Sequence, residues 1–191
     1  MEKNSIAPFP LIVVGGSAGS LEVILSFLPL LRKDLKVAIL IVLHRSSDPD
    51  PVLQSLLSSK TSIAVKEAEE KELLMKGVIY IAPADYHLLI EKDFTFSLDY
   101  SEKVNYSRPS IDVTFEIAAE VFKERTTGIL LSGANTDGTE GLMAVKATGG
   151  TTVVQDPSTA SVPYMPQYAV SHAPVDHVLK AADIAAFINS Q

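Results

Sequence analysis

The predicted fold starts from one N-terminal segment, Leu11-Ile-Val-Val-Gly-Gly-Ser-Ala-Gly-Ser-Leu21. Its four leading apolar residues are typical of a buried strand, and they run directly into Gly15-Gly16. From Leu21 onward, apolar residues recur at the spacing of one helical face: Leu21, Ile24, Leu25 and Leu28. The segment therefore predicts a strand, a glycine turn and a helix, with Ser17 on the turn.

The serine on this turn has two interpretations. Gly15-x-Ser17-x-Gly19 matches the nucleophile-elbow pattern, in which glycines allow a strained turn to expose a serine hydroxyl. Alternatively, the serine only caps the following helix. A dinucleotide-binding turn is excluded because serines occupy two of its glycine positions. A P-loop is excluded because no lysine lies between the turn and Lys33.

Length and composition limit the class of protein. A chain of 191 residues with 47% hydrophobic and 20% charged residues is typical of one globular domain, so we predict a single domain over residues 1–191. The net charge of -7, with scattered cations, argues against a nucleic-acid partner. The absence of cysteine excludes a thiol nucleophile and thiolate metal sites. Because no signal peptide or membrane-length apolar run occurs, we expect a cytoplasmic protein without membrane insertion.

Periodicity along the chain predicts alternating strands and helices. The predicted strands cover residues 11–14, 37–43, 63–67, 77–82, 127–131 and 151–155, with a hairpin formed by 87–91 and 94–99. The predicted helices cover residues 20–31, 51–58, 139–148, 166–170 and 180–190, and one further helix follows Ser110 as its N-cap. Strands that are apolar on both faces and alternate with helices indicate a single doubly wound, mostly parallel α/β sheet.

Three polar residues follow predicted strands at the sheet edge where ligands bind in such folds. Ser17 follows the first strand, His44 follows the second, and Asp137 lies in the loop after the 127–131 strand. These are the residue types of a nucleophile, a general base and the carboxylate that orients the base. We predict a catalytic triad, while noting that each residue alone is also common as a strand-end, turn or cap residue.

The choice of histidine stays open on this argument. The α/β-hydrolase order of Ser, Asp and His would instead combine Ser17 and Asp137 with His172 or His177. His87, at the start of the predicted hairpin, is the weakest candidate. No histidine pair has metalloprotease spacing, and Asp48 and Asp50 lack further ligands, so we expect no metal and no cofactor.

Five motifs follow one another along nearly the whole chain: the Gly-Gly-Ser-Ala-Gly-Ser turn, the strand ending in His44, Asn105-Tyr-Ser-Arg-Pro-Ser-Ile-Asp112, Leu131-Ser-Gly-Ala-Asn-Thr-Asp-Gly138, and Gln155-Asp-Pro-Ser-Thr-Ala with Met165-Pro166. Together they resemble the catalytic domain of the CheB chemotaxis methylesterases. The resemblance implies a serine hydrolase that removes methyl esters from glutamate side chains of chemoreceptors, and in some members deamidates glutamines. It also implies a parallel sheet that is not the α/β-hydrolase fold.

The resemblance maps the triad onto Ser17 as nucleophile, His44 as base and Asp137 as its partner. The chain departs from the family pattern beside these residues. Ala18 stands where the family usually has Thr, Ser20 where it has Gly, and Ala134-Asn135 where it has Met-Gly. Backbone N–H groups of an oxyanion hole would survive these changes, whereas a threonine hydroxyl would be lost.

Further site residues are expected from the same motifs. Arg108, Ser110 and Met165 either line the substrate approach or support the loops around it. The usual N-terminal receiver domain is not found in these 191 residues. The resemblance implies methylated cytoplasmic helices of chemoreceptors as partners. Two alternatives remain, namely a catalytically weak binding module and an esterase for small metabolites.

Overall fold

The computed structural model describes residues 9–45 and 51–191. Its centre is a parallel sheet of seven strands, which are β1 (Leu11–Gly16), β2 (Ala38–Leu43), β3 (Ala64–Glu67), β4 (Val78–Ile81), β7 (Thr126–Leu130), β8 (Thr151–Gln155) and β9 (His177–Leu179). Across the sheet, these strands lie in the order β3-β4-β2-β1-β7-β8-β9. The predicted parallel α/β architecture is confirmed.

Six α-helices cover the two faces of the sheet within the described residues. They are α1 (Ser20–Phe27), α2 (Pro51–Ser58), α3 (Ile111–Phe122), α4 (Thr139–Ala147), α5 (Tyr164–His172) and α6 (Ile184–Asn189). Alternate residues of β1 face opposite layers: Leu11 and Val13 pack with α3 and α4, whereas Ile12 and Val14 pack with α1 and α6. Since both faces are buried, β1 and β2 carry no polar side chain at any position, which is the pattern that predicted them.

The predicted hairpin is also present. It consists of β5 (His87–Ile90) and β6 (Phe96–Asp99), which pair antiparallel with His87 opposite Asp99. Leu88, Ile90 and Phe96 join the core on the side of α3. The hairpin therefore places the start of β5 against the N-terminus of α3.

Several boundaries differ from the prediction. β1 extends through both glycines, and α1 ends at Phe27 because Pro29 in the following 3-10 turn has no N–H to continue α-helical bonding. The three-residue strand β9 was not predicted. Its residues are largely exposed and show no apolar alternation, so only pairing with β8 defines it. The last helix begins at Ile184 rather than at 180.

Helix length bears on membrane insertion. In residues 9–45 and 51–191, no helix is both long and apolar enough to cross a membrane.

Candidate active site

Strand order brings the three predicted triad residues to neighbouring positions. β1 lies between β2 and β7, and Ser17, His44 and Asp137 each follow the carboxyl end of one of these strands. Interstrand hydrogen bonds continue past the strand ends: His44 N donates to Gly16 O at 3.1 Å, and Ser17 N donates to Ser132 O at 2.9 Å. The chain leaves β1 toward β2 and later returns to β7, so the site lies at the switch point of the sheet.

The turn after β1 fixes the backbone of Ser17. The cap of α1 is Gly19, which has φ of 79° and makes no side-chain cap bond, so the alternative in which Ser17 caps this helix is wrong. A Cβ at Gly19 would lie 2.8 Å from atoms of Ser132 and Ser161, which adds a steric requirement for glycine. Ser20 Oγ donates to Ser17 O at 2.5 Å. The Ser17 side chain is left partly exposed.

His44 and Asp137 form a direct pair. His44 Nε2 lies 2.6 Å from Asp137 Oδ2, and their side chains are 11% and 0% exposed. An ionised carboxylate can only accept, so Nε2 carries the proton and Nδ1 is the basic nitrogen. The Ser17 hydroxyl makes no hydrogen bond to any described residue. The structure therefore joins two members of the predicted triad and places the third directly after the adjacent strand, β1.

The Asp137 carboxylate lies at the N-terminus of α3. Its Oδ1 accepts from Asn105 Nδ2 at 3.0 Å, Ser110 Oγ at 2.9 Å and Asp112 N at 3.0 Å, and its Oδ2 accepts from Ile111 N at 2.7 Å. Burial by itself raises the pKa of Asp137. Hydrogen bonds from His44, Asn105 and the helix N–H groups outweigh burial and lower this pKa to about 2. The partner of His44 is therefore ionised.

A second buried carboxyl group, Asp112, lies beside Asp137 and was not predicted as a site residue. Its Oδ1 accepts from Gly138 N at 2.8 Å and Gly141 N at 2.7 Å, and its Oδ2 accepts from Asn105 Nδ2 at 2.7 Å. Burial raises the pKa of Asp112 to about 7, and the nearby charge of Asp137 acts in the same direction. Both Asn105 and Asp112 lie in the quoted Asn105–Asp112 motif, but its spacing alone does not indicate which side chains turn inward.

Arg108 holds together the loops beside the site. Its guanidinium donates to Asp85 Oδ1 at 2.8 Å and to Ser101 O at 2.7 Å, and it lies 3.8 Å over the Tyr100 ring. Arg108 also lines a cleft that reaches His44. Ser110 is the N-cap of α3, as predicted, and it also donates to Asp137.

Met165, Ala18 and Ala134, which were also predicted as site residues, differ in their surroundings. Met165 is fully buried, and a Cβ at Gly133 would lie 2.5 Å from its Cε and 3.1 Å from Ser17 Cβ. Ala18 is exposed. The N–H groups of Ala18 and Ala134 have no hydrogen-bond acceptor in the part of the chain that the structure describes.

The other three histidines have different surroundings. His87 is buried, with Nε2 2.9 Å from Glu102 O and Nδ1 accepting from Ser110 N at 3.2 Å. His172 Nδ1 lies 2.9 Å from Tyr168 O, and its ring stacks on Tyr168. His177 begins β9, on the sheet edge away from β1. Asp137 therefore pairs with His44 and with none of the alternatives.

The described ranges contain no group of three or more His, Cys, Asp or Glu side chains that could hold a metal ion. Asp48 and Asp50 lie outside these ranges.

Comparison with known proteins shows the family of the chain. The family model for CheB methylesterase matches residues 12–188. A Leptospira interrogans protein, named provisionally as a protein-glutamate methylesterase/protein-glutamine glutaminase, is 47% identical over 91% of this chain and 90% of its own length. A Thermotoga maritima protein named for the same two activities is 36% identical over 91% of this chain, which spans 52% of that protein.

A solved structure extends the similarity to three dimensions. The crystal structure of the Thermotoga maritima CheB methylesterase catalytic domain superposes with a TM-score of 0.89 at 34% identity, over 96% of this chain and 99% of that one. The family match over residues 12–188 spans the strands, turns and helix N-termini described above. The chain therefore belongs to the CheB methylesterase family.

Proposed function

We propose that this chain is a serine-dependent protein-glutamate methylesterase in which Ser17, His44 and Asp137 form the catalytic triad. The observation that carries the proposal is the buried His44–Asp137 hydrogen bond of 2.6 Å beside β1, the strand that Ser17 directly follows. The bond orients the imidazole and leaves Nδ1 free to act as a base. In free enzymes the nucleophile–base contact is often loose and tightens with substrate, so an open Ser17 hydroxyl is compatible with this role.

The reaction follows from these positions. His44 Nδ1 takes the proton of Ser17 Oγ, and the oxygen attacks the ester carbonyl carbon to form a tetrahedral intermediate. The intermediate collapses, methoxide leaves with the proton from His44 as methanol, and an acyl-enzyme remains. His44 then takes a proton from water, the hydroxide attacks the acyl-enzyme, and the proton returns to Ser17 as glutamate is released. Asp137 stabilises the imidazolium in both halves.

The oxyanion of the intermediate needs N–H donors near Ser17. We assign this role to the backbone N–H groups of Ala18 and Ala134, which are free of protein acceptors among the described residues. Met165 packs beside Ser17, and Arg108 and Ser110 hold the surrounding loops. Loss of a single oxyanion donor costs on the order of 10²–10³ in rate, so the absent threonine hydroxyl at position 18 favours a slower enzyme.

The proposed substrate is the glutamyl methyl ester on the cytoplasmic helices of methylated chemoreceptors, and the proposed location is the cytoplasm. The two activities named for the Leptospira and Thermotoga relatives motivate this choice. The same attack on a glutamine side chain would release ammonia instead of methanol. One catalytic domain carries out the whole reaction in this proposal.

Methanol release from a methylated receptor tests the proposal. We expect Ser17→Ala and His44→Ala to lower the rate by about 10³-fold or more, whereas the exposed surface variant Ser59→Ala keeps wild-type turnover. Labelling by a fluorophosphonate probe should be strong and should disappear in Ser17→Ala. Wild-type turnover in Ser17→Ala would overturn the mechanism. An unlabelled wild-type chain that still binds receptor would indicate a binding module, and turnover of soluble esters alone would indicate a metabolite esterase.

A further inference from the structure

We propose that Asn105 is a positioning residue for hydrolysis, which bridges the buried carboxyl groups of Asp112 and Asp137 and so keeps Asp137 oriented and ionised for His44. The inference rests on the proposed function, because it assigns Asp137 to the triad. Asn105 itself touches neither Ser17 nor His44 in the described contacts. Its effect on the reaction would therefore pass through Asp137.

The backbone around Asn105 is built to direct its side chain inward. Val104 and Ser107 exchange two backbone hydrogen bonds, of 3.1 and 2.9 Å, which close a tight turn over the two residues between them. Asn105 has φ of 51° and its neighbour Tyr106 has φ of 62°. Asparagine is among the few residues that tolerate this left-handed region well. The turn is exposed, yet the Asn105 amide reaches two buried carboxyl groups.

A single amide nitrogen serves both carboxyl groups. Asn105 Nδ2 lies 2.7 Å from Asp112 Oδ2 and 3.0 Å from Asp137 Oδ1, so each of its two N–H bonds has its own acceptor. No lysine or arginine donates to either carboxyl group among the described residues. A neutral group with two donors thus occupies the space between two groups of like charge.

The physical need for such a bridge follows from burial. Two adjacent buried carboxyl groups resist double ionisation, and one of them then retains a proton. If that proton moved to Asp137, this residue would lose part of the charge that stabilises the His44 imidazolium. The Asn105 amide stabilises the ionised form of both carboxyl groups. The N–H groups of Ile111 and Asp112 donate to Asp137, so they stabilise its ionised form further and the shared proton favours Asp112.

The experiment uses Asn105→Gly, Asp112→Asn and the double variant. Glycine tolerates the positive φ and removes the whole side chain, including the amide. In Asp112→Asn, an amide nitrogen at position 112 would face Asn105 Nδ2, so two donors would oppose each other. In the double variant this conflict disappears, and the new amide at position 112 can donate to Asp137 in place of Asn105. Asp34→Asn removes an exposed carboxylate paired with Arg32 and serves as the control.

The readouts are kcat and KM for the methylated receptor, the rate of fluorophosphonate labelling, and the carboxyl titration of Asp112 by NMR. We expect Asn105→Gly to lower kcat and labelling by about 10–100-fold while KM changes by less than about threefold. The double variant should be faster than Asn105→Gly, although each substitution alone slows the enzyme. The pKa of Asp112 should rise in Asn105→Gly and stay unchanged in Asp34→Asn.

Recovery of kcat in the double variant distinguishes a positioning role of Asn105 from a general structural role. If Asn105→Gly only weakened the fold, a second destabilising substitution would not restore the activity. Wild-type labelling of Asn105→Gly, or a double variant no faster than Asn105→Gly, overturns the inference. If glycine prevents folding, Asn105→Asp tolerates the same φ without the donors and should be at least as slow. If the probe does not label the wild-type chain, the proposed function is overturned. The pKa of Asp112 in Asn105→Gly would then still test whether Asn105 bridges the two carboxyl groups.

Discussion

Asp112 and Asp137 cap each other's helices. Asp137, one residue before the N-cap of α4, accepts from Ile111 N and Asp112 N at the start of α3. Asp112, in the first turn of α3, accepts from Gly138 N and Gly141 N at the start of α4. Both carboxyl groups therefore lie at the positive ends of two helix dipoles, which offsets part of the cost of burying them. The same contacts that join the helices hold the partner of His44.

This arrangement predicts an unusual pH dependence of stability. The pKa of Asp112 is raised to about 7 in the folded protein, compared with about 3.9 in an unfolded chain. Between these two values the folded state binds more protons, so the contribution of Asp112 to the free energy of unfolding falls as pH rises from about 4 to about 7. Asp112→Asn removes this contribution.

Urea unfolding at about pH 5 and about pH 8 measures the effect. We expect the wild-type protein to lose more stability than Asp112→Asn across this range, by on the order of 1 kcal/mol or more. Asp34 titrates below this range because Arg32 lowers its pKa. The variant Asp34→Asn should therefore lose as much stability between the two pH values as the wild type. Equal losses in the wild type and Asp112→Asn would show that Asp112 is already ionised at the lower pH.

A second prediction concerns the choice of histidine. His44→Ala should abolish methanol release, because this histidine alone pairs with Asp137 in the described structure. His172→Ala and His177→Ala should retain activity within about twofold, since both side chains are exposed and make their contacts outside the site. Steady-state rates of the three purified variants provide the measurement. Loss of activity in either C-terminal variant would restore the α/β-hydrolase order as a candidate.

A third prediction uses two glycines with different surroundings. In Gly133→Ala, the new Cβ would meet Met165 Cε at 2.5 Å and Ser17 Cβ at 3.1 Å, so Ser17 or Met165 must move. We expect kcat to fall by about tenfold or more, because small displacements of reacting groups are costly.

Gly77→Ala is the matched control. Gly77 has φ of 73°, and a Cβ there would have only Leu35 O near it, at 3.5 Å. We expect this variant to lose about 1 kcal/mol of stability through backbone strain while keeping its kcat. Thermal unfolding and methanol release, measured on both variants, separate the two effects. Full activity in Gly133→Ala would mean that Ser17 tolerates the added methyl group, and that close packing at Gly133 does not position Ser17.

Much of the fold could be predicted locally. β1 and β2 carry no polar side chain, and β8 directly follows the Gly149-Gly150 helix stop, so these three strands were predicted within two residues of their observed bounds. Ser110 was predicted as a helix N-cap because its type and position suffice for that role. β9 was missed because a short, exposed edge strand is defined by its neighbour and not by its own residues.

Apolar periodicity and glycine positions are local properties, and they suffice to predict the strand–turn–helix at Ser17, the parallel sheet, and the edge at which Ser17, His44 and Asp137 lie. Three features depend instead on the folded chain: β1 lies between β2 and β7, His44 pairs with Asp137 through Nε2, and Asn105 and Asp112 contact the same carboxylate. These contacts to Asp137 join residues from 25 to 93 positions apart in the chain. They form because two helix N-termini and three strand ends meet at one edge of the sheet. A local sequence pattern cannot predict this juxtaposition.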